Sequence, residues 1–129
     1  MSETILLIED NENNRYLATY LLQARGWTVV HAVDGASGLA LAAATPPALI
    51  LLDIQLPEMD GYEVARRLKA DAALAAVPIV AVTSYAMRND RETALAAGCQ
   101  GYIEKPIDPE TFVDSVEAHL RPQHRRKPA

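Results

Sequence analysis

The segment Ala48-Leu49-Ile50-Leu51-Leu52-Asp53 decides the fold of this chain, because five apolar residues run without interruption into a carboxylate. An apolar run of this length, followed by turn-forming residues, is typical of a strand buried on both faces of a parallel sheet. Open α/β sheets bind their ligands in the crevice beyond the carboxyl ends of the strands. Asp53 is therefore expected to project into such a crevice.

Three further apolar runs end in polar side chains, as the Asp53 run does. The polar ends are Glu9 with Asp10, Thr83 with Ser84, and Lys105 with Pro106. The carboxyl ends of parallel strands meet at one edge of a sheet, so these groups are expected to surround a common crevice. Carboxylates, a hydroxyl and an amine in one crevice predict a site for a divalent cation and a phosphoryl group.

The composition predicts one ordinary domain with a hydrophobic core, because the chain has 129 residues and 50% of them are hydrophobic. Four basic residues lie in the last nine positions, and these are Arg121, Arg125, Arg126 and Lys127. The rest of the chain contains the other 8 bases and all 17 acids, so its charge is strongly negative. This disfavours nucleic acid as a partner. We expect a folded body over residues 1–120 and a basic, flexible tail over residues 121–129.

Cys99 is the single cysteine, so the chain has no internal disulfide, and we interpret this residue as a small packing residue. The amino terminus lacks the pattern of a signal peptide, and no apolar stretch is long enough to span a membrane. These features predict a cytoplasmic protein that has no membrane partner.

Strand and helix patterns alternate from one end of the chain to the other. The predicted strands cover residues 5–8, 27–32, 48–53, 79–83 and 101–104. The predicted helices run from a cap at Asn13 or Asn14 to Arg25, from 35 to before Pro46, from 62 to 70, from 88 to 97, and from an Asp108 cap through Pro109 to Leu120.

The spacing of apolar residues predicts which side of four of these helices faces the core. The predicted inward residues are Leu17, Leu21 and Ala24 in the first helix, Val64, Ala65 and Leu68 in the third, Ala94, Leu95 and Ala97 in the fourth, and Phe112, Val113, Val116 and Leu120 in the last. The fourth helix has the thinnest apolar face and is expected to be the least firmly docked.

Five strands alternating with five helices predict a parallel sheet with right-handed crossovers and helices on both faces. We therefore expect an α/β three-layer sandwich with the flavodoxin-like strand order 2-1-3-4-5. This order places the carboxyl ends of the first and third strands side by side. It brings Glu9, Asp10 and Asp53 together.

Four segments of the chain resemble the receiver domain of two-component response regulators, a CheY-like family. The segments are 7–11, 51–61, 82–84 and 102–107, and the resemblance covers roughly residues 4 to 120. The segment 10–15 and the lack of an output domain are similar to the small single-domain bacterial regulators of the DivK type. The receiver would then be residues 1–120.

The resemblance implies that Asp53 is the phosphoacceptor and that Mg²⁺ is the cofactor. A hard cation prefers oxygen ligands, and it would relieve the repulsion between converging carboxylates. Asp10 and Asp53 are the best candidates for direct ligands, and Glu9 is expected to hold a metal-bound water. The family also uses a backbone carbonyl at the position of Gln55.

The resemblance assigns further roles at the other strand ends. Lys105 would neutralise phosphoryl charge, and the bond between Lys105 and Pro106 would be cis. Thr83 would donate a hydrogen bond to the phosphoryl group and move toward it, and Tyr102 would then turn inward as the second switch residue. The phosphoryl donor would be a phosphohistidine on a histidine kinase or a phosphotransfer protein.

The switch would change the face formed by the fourth helix, fifth strand and fifth helix, and this face would control the binding of a downstream protein. The domain would thus serve signal transduction in a phosphorelay. It would not be an enzyme, apart from catalysing its own phosphorylation and dephosphorylation. A receiver excised from a hybrid histidine kinase or a multidomain regulator is the alternative.

Three rival interpretations fit the residues less well. A phosphatase resembling the haloacid dehalogenase group needs a second acid two residues after its nucleophile, where this chain has Gln55. A flavin-binding protein needs a hydroxyl-rich phosphate loop after the first strand, where this chain has two acids. A degenerate receiver used only for docking would lack site residues, but all of them are present.

Overall fold

The computed structural model describes residues 4–56, 59–84 and 88–120. The strands are β1 (Thr4–Ile8), β2 (Thr28–Ala32), β3 (Leu49–Asp53), β4 (Ile79–Thr83) and β5 (Gly101–Glu104). The helices are α1 (Glu12–Ala24), α2 (Gly35–Ala44), α3 (Gly61–Ala70), α4 (Arg88–Ala96) and α5 (Phe112–Glu117). The predicted tail over 121–129 and part of the predicted loop, Pro57 and Glu58, lie outside the described residues.

The five strands form one parallel sheet in the order β2-β1-β3-β4-β5, which confirms the predicted topology. Ile8 pairs with Leu52 across β1 and β3, so the residues that follow these strands emerge side by side. Every residue of β3 and of β4 is buried. The uninterrupted apolar run before Asp53 therefore reflects a central strand with helices on both faces.

Alternation of side chains along the strands divides the core into two layers. Ile50 and Leu52 of β3 point to one layer, where they pack with residues of α2, α3 and α4. Leu49 and Leu51 point to the other layer, which contains the inward residues of α1 and α5. Each of these four side chains is fully buried and stabilises the fold by about 1.5–3 kcal/mol. The three-layer sandwich was predicted correctly.

Helix α1 begins earlier than predicted because Asn11 caps it. The side chain of Asn11 accepts a hydrogen bond from the backbone N–H of Asn14 at 2.9 Å. The predicted caps, Asn13 and Asn14, lie inside the helix, so that prediction was wrong. The run of asparagines offers several caps, and the one nearest the end of β1 is used. Gly26, with φ of 97°, follows the helix, as predicted for its stop.

The buried face of α1 also differs from the prediction. Ala18 and Leu22 are buried, whereas Leu17 and Leu21 are half-buried and Ala24 is exposed. The inward stripe is rotated by about one residue from the predicted one. Leu17 and Leu21 lie at the border of the buried stripe that Ala18 and Leu22 form.

The last helix is shorter than predicted, and Asp108 does not cap it. The Asp108 side chain accepts from the backbone N–H of Glu110 at 3.0 Å, so it closes a turn that precedes the helix. Helix α5 begins at Phe112, and Thr111 is at its N-cap position. The predicted inward residues are all buried, and these are Phe112, Val113, Val116 and Leu120.

Helix α4 contributes little apolar surface to the core. Ala94 and Ala97, near its carboxyl end, are buried. Leu95 is 50% exposed, so its predicted inward position was wrong. Because Ala94 and Ala97 are three residues apart, they share a face, and Leu95 falls outside it. In helix α3 the predicted inward residues, Val64, Ala65 and Leu68, are fully buried.

A hydrogen bond and two ion pairs join α5 to the residues that directly precede β2. Trp27 is buried, and its indole Nε1 donates to Glu117 Oε2 at 2.8 Å. Arg25 forms ion pairs with Glu117 at 2.8 Å and with Asp114 at 3.2 Å. These groups lie at the amino end of the sheet, opposite the carboxyl ends of the strands. In the described ranges, no helix is both long and apolar enough to cross a membrane.

Cys99 is buried in the core layer that contains α3 and α4, in agreement with a packing role. Burial raises the pKa of its thiol to about 11. Since the reactive form is the thiolate, and only about 0.1% of such a thiol is ionised at pH 8, we expect iodoacetamide to leave the native protein unlabelled. Labelling should become fast in urea, as measured by intact-protein mass spectrometry.

A matched control for this experiment replaces Cys99 by alanine and exposed Ser37 by cysteine. This Ser37→Cys, Cys99→Ala chain should be labelled at pH 8 in the absence of urea. Equal labelling rates for Cys99 with and without urea would contradict the assigned burial.

Candidate functional site

The structure brings the polar residues that end four strands to one edge of the sheet. Glu9 and Asp10 follow β1, Asp53 ends β3, Thr83 ends β4 and Lys105 follows β5. The register pairs Asp53 with Val82 and Thr83 with Glu104, so neighbouring strands end at nearly the same height. The site is therefore a product of strand order and register.

Three carboxylates form an acid cluster at this edge. Oxygen atoms of Glu9, Asp10 and Asp53 all lie within 4.8 Å of one another. Glu9 and Asp53 are each 3% exposed, and Asp10 is exposed to solvent. Like charges this close repel one another, and a divalent cation coordinated by oxygens would relieve the repulsion. The donor set fits a hard cation.

Lys105 lies against two members of the acid cluster. Its Nζ is 3.0 Å from Glu9 Oε1 and 3.3 Å from Asp53 Oδ2. Its side chain is 11% exposed. The backbone N–H of Lys105 donates to the carbonyl of Thr83 at 2.8 Å, and the bond to Pro106 is cis. The ammonium group therefore neutralises part of the negative charge beside Asp53.

Glu9 holds a proton more tightly than an ordinary glutamate. Burial, and then the hydrogen bond with Asp53, raises the pKa of Glu9 to about 7, although Lys105 acts in the opposite direction. The backbone N–H of Asn11 also donates to Glu9 Oε2 at 3.2 Å. One ammonium group is thus too little to keep the buried Glu9 carboxylate fully ionised.

Arg15 orients the acid pair and was missed by the sequence analysis. Its Nη1 donates to the backbone carbonyls of Glu9 and Asp10, both at 3.0 Å. Arg15 is a base close in sequence to two acids, which was the available signal. The sequence could not show that the guanidinium binds the backbone and leaves the carboxylates available to a cation.

Gln55 contacts both sides of the crevice. Its backbone N–H donates to Asp53 Oδ1 at 2.9 Å. Its side-chain Oε1 accepts from the Ser84 N–H at 3.2 Å and from the Ser84 hydroxyl at 2.7 Å. The sequence predicted a metal-binding role for the backbone carbonyl of Gln55 but not the contact of its side chain with Ser84, because spacing along the chain does not determine the distance between the loops after β3 and β4.

Thr83 and Tyr102 lie on neighbouring strands. Thr83 is fully buried. Tyr102, which pairs with Ala81, is half-buried and packs against the core layer of α3 and α4. The two predicted switch residues are therefore close to each other in the sheet.

The loop after Asp53 returns so closely that only glycine fits at position 61. The Gly61 N–H donates to the Ile54 carbonyl at 3.2 Å. A Cβ atom on Gly61 would lie 2.5 Å from Ile54 Cα and 2.8 Å from the carbonyl oxygen of Asp53. Any side chain there would displace the backbone that carries Asp53.

Comparison with known proteins identifies the family. A family model described as the response regulator receiver domain matches residues 5–117 of this chain. The chain belongs to the response regulator receiver family. Receiver domains are signalling domains of two-component systems, and the family predicted from the sequence is confirmed.

Relatives agree with this assignment. The chain is 40% identical over 120 residues to the polar-differentiation response regulator DivK of Brucella ovis, covering 93% of this chain and 98% of the relative. DivK of Brucella anthropi matches with the same identity and the same coverage. The predicted similarity to DivK-type receivers is thus confirmed.

Solved structures of receivers superpose closely on this one. The chemotaxis protein CheY4 of Vibrio cholerae has a TM-score of 0.88 and 26% identity, and the match covers 93% of this chain and 100% of that one. The receiver domain of the sensor histidine kinase PA1611 of Pseudomonas aeruginosa has a TM-score of 0.84 and 32% identity, covering 92% and 98%. The latter structure has a magnesium ion coordinated in its active site cleft.

Proposed function

We propose that this receiver accepts a phosphoryl group on Asp53, with Mg²⁺ bound in the acid cluster, from a phosphohistidine on a histidine kinase or phosphotransfer protein. The observation that carries the proposal is the position of the Asp53 carboxylate, which lies 3.3 Å from Lys105 Nζ and within the cluster of three acids. Incubation with acetyl phosphate and Mg²⁺, followed by intact-mass measurement, should detect the addition of one phosphoryl group.

The residues supply nucleophile, charge and hydrogen bonds for this transfer. A carboxylate oxygen of Asp53 attacks phosphorus, and the new O–P bond forms as the P–N bond to the donor imidazole breaks. The imidazole leaves with the electron pair of that bond. Lys105 and Thr83 are placed to interact with the phosphoryl oxygens, where charge must be neutralised. Hydrolysis returns Asp53 to its unphosphorylated state. Water attacks phosphorus, the bond between phosphorus and the Asp53 oxygen breaks, and inorganic phosphate leaves.

Four oxygen donors would hold Mg²⁺. Asp10 and Asp53 would bind directly, Glu9 through a water, and Gln55 through its backbone carbonyl. When bound, the ion supplies positive charge beside the incoming phosphoryl group. The short separation of the three carboxylates and the coordinated magnesium of the PA1611 receiver support this assignment.

Mg²⁺ is expected to stabilise the folded protein, because the unfolded chain does not assemble the acid cluster. At about one hundred times the dissociation constant, the ion adds about 2.7 kcal/mol to the free energy of unfolding. Scanning calorimetry with and without MgCl₂ measures this gain. Asp10→Asn should lose most of it, and Glu63→Gln, outside the cluster, should keep it. Equal gains in the two variants would contradict the metal site.

Phosphorylation would act as a switch between two packings of the same chain. Thr83 would move toward the phosphoryl group, and Tyr102 would enter the space that it leaves. The face formed by α4, β5 and α5 would then change its affinity for a downstream protein. Burial of Thr83 and half-burial of Tyr102 on the adjacent strand support this proposal.

The setting of the receiver is part of the proposal. We place it in the bacterial cytoplasm, with the receiver over residues 1–120 and a segment of basic composition over 121–129. A receiver belonging to a larger sensor kinase is a second candidate, favoured by the 32% identity to the PA1611 receiver domain. The DivK relative, of which 98% is covered, favours the single-domain form.

A further inference from the structure

The side chain of Gln55 joins the loops that follow β3 and β4. Its Oε1 accepts hydrogen bonds from the backbone N–H and the hydroxyl of Ser84, and we call this pair of bonds the Gln55 bridge. The backbone N–H of Gln55 donates to Asp53 Oδ1. Gln55 is therefore bonded on one side to the proposed nucleophile and on the other to the residue that follows Thr83.

Ser84 carries two donors in the loop after β4, and the glutamine that holds them is also hydrogen-bonded to Asp53. Ser84 follows the end of β4, and β4 lies directly beside β3 in the sheet. A transferred phosphoryl group has three peripheral oxygens whose charge must be neutralised. Thr83 and Lys105 offer donors to them, and Ser84 offers the next donors along the same loop. The Gln55 bridge holds both Ser84 donors.

We propose that Gln55 is a positioning residue that opposes phosphoryl binding by occupying the donors of Ser84, so that the Gln55 bridge opens when Asp53 is phosphorylated. An anionic phosphoryl oxygen accepts stronger hydrogen bonds than a neutral amide oxygen, so the exchange favours the phosphorylated state. Breaking the two hydrogen bonds of the Gln55 bridge costs free energy, and this cost reduces the free energy gained when Ser84 donates to the phosphoryl group. This inference rests on the proposed function of Asp53.

Two substitutions of opposite expected effect test the inference. Gln55→Met keeps the length of the side chain but removes the acceptor, so beryllofluoride in the presence of Mg²⁺ should bind about three- to tenfold more tightly than to the wild type. Gln55→Glu keeps an acceptor and adds negative charge, so the same ligand should bind more weakly. Calorimetric titration gives both affinities, and the backbone carbonyl of residue 55 is unchanged in either variant.

Nuclear magnetic resonance of the Ser84 amide distinguishes the Gln55 bridge from a general effect on the loop. Without beryllofluoride, its chemical shift should differ between the wild type and Gln55→Met, because only the wild type has the acceptor. With beryllofluoride bound, the two shifts should coincide, because Gln55 has left Ser84 in both proteins. The increase in beryllofluoride affinity caused by Gln55→Met should be smaller when Ser84 is also replaced by alanine, and this result would support the inference.

Three outcomes overturn the inference. Binding to Gln55→Met that is equal to or weaker than binding to the wild type would show that Gln55 does not compete with the ligand. Shifts of the Ser84 amide that stay different in the bound proteins would show that Gln55 does not leave. Failure of the wild type to bind beryllofluoride with Mg²⁺ would reject the proposed function as well, whereas the first two outcomes leave it standing.

Discussion

Asp53→Asn is expected to abolish phosphorylation by acetyl phosphate and by a phosphohistidine donor. The amide of asparagine is a poor nucleophile and cannot form an acyl phosphate, while its size matches that of the carboxylate. Its carbonyl oxygen can still accept the hydrogen bond that the Gln55 N–H donates to Asp53 Oδ1 at 2.9 Å. The loss should therefore affect chemistry without disturbing the fold. Intact-mass measurement after incubation with acetyl phosphate and Mg²⁺ detects the product.

Asp114→Asn is the matched control for this substitution, because it makes the same chemical change on a side chain that is 72% exposed and lies in α5. This variant should be phosphorylated as fast as the wild type. Circular dichroism of both variants verifies folding. Phosphorylation of Asp53→Asn at the wild-type rate would show that another residue accepts the phosphoryl group.

Lys105→Ala is expected to have the largest effect on stability. It removes the ammonium group from two buried carboxylates, and breaking a buried pair in this way costs about 3–5 kcal/mol. Urea denaturation without divalent cations measures this loss. Mg²⁺ should still bind, because its proposed ligands are retained, but phosphorylation should no longer raise the affinity for the downstream partner.

The decrease in the free energy of unfolding caused by Lys105→Ala should be greater at pH 8 than at pH 5.5. The pKa of Glu9 is already raised to about 7 in the folded protein, and Lys105 acts to lower it. A carboxyl group with a raised folded pKa stabilises the fold while it is protonated, and this contribution is lost as pH rises through the folded pKa. Removing Lys105 raises the pKa further and enlarges that loss above pH 7.

Lys105→Arg is the control, because it keeps a positive charge beside Glu9 and Asp53. It should recover most of the unfolding free energy that alanine loses. If Lys105→Ala and the wild type unfold at the same urea concentration at pH 8, Lys105 does not neutralise the acid cluster.

The fold and the convergence of the site follow from patterns that the sequence contains. The apolar run before Asp53 indicated a central strand, and the alternation of strands and helices indicated the parallel sheet. Once the order 2-1-3-4-5 is accepted, Asp10 and Asp53 must lie near each other, because β1 and β3 are neighbours.

The local details were harder to predict, because several side chains could satisfy the same backbone groups. Asn13 and Asn14 were the predicted caps for α1, but Asn11, an earlier asparagine of the same run, holds the cap position. Asp108 was the predicted cap of the last helix, but its side chain closes a turn that precedes α5. Contacts between loops, such as the Gln55 bridge, depend on distances that spacing along the chain does not determine.

The position of Trp27 has a practical consequence for experiments on this receiver. It is the single tryptophan of the chain, and it packs between the start of β2 and α5 with its indole bonded to Glu117. Because it lies at the edge of the sheet opposite Asp53, its fluorescence emission should follow exposure of the indole on unfolding and stay nearly constant when the phosphoryl site fills. The protein thus contains an intrinsic optical probe that separates denaturation from signalling.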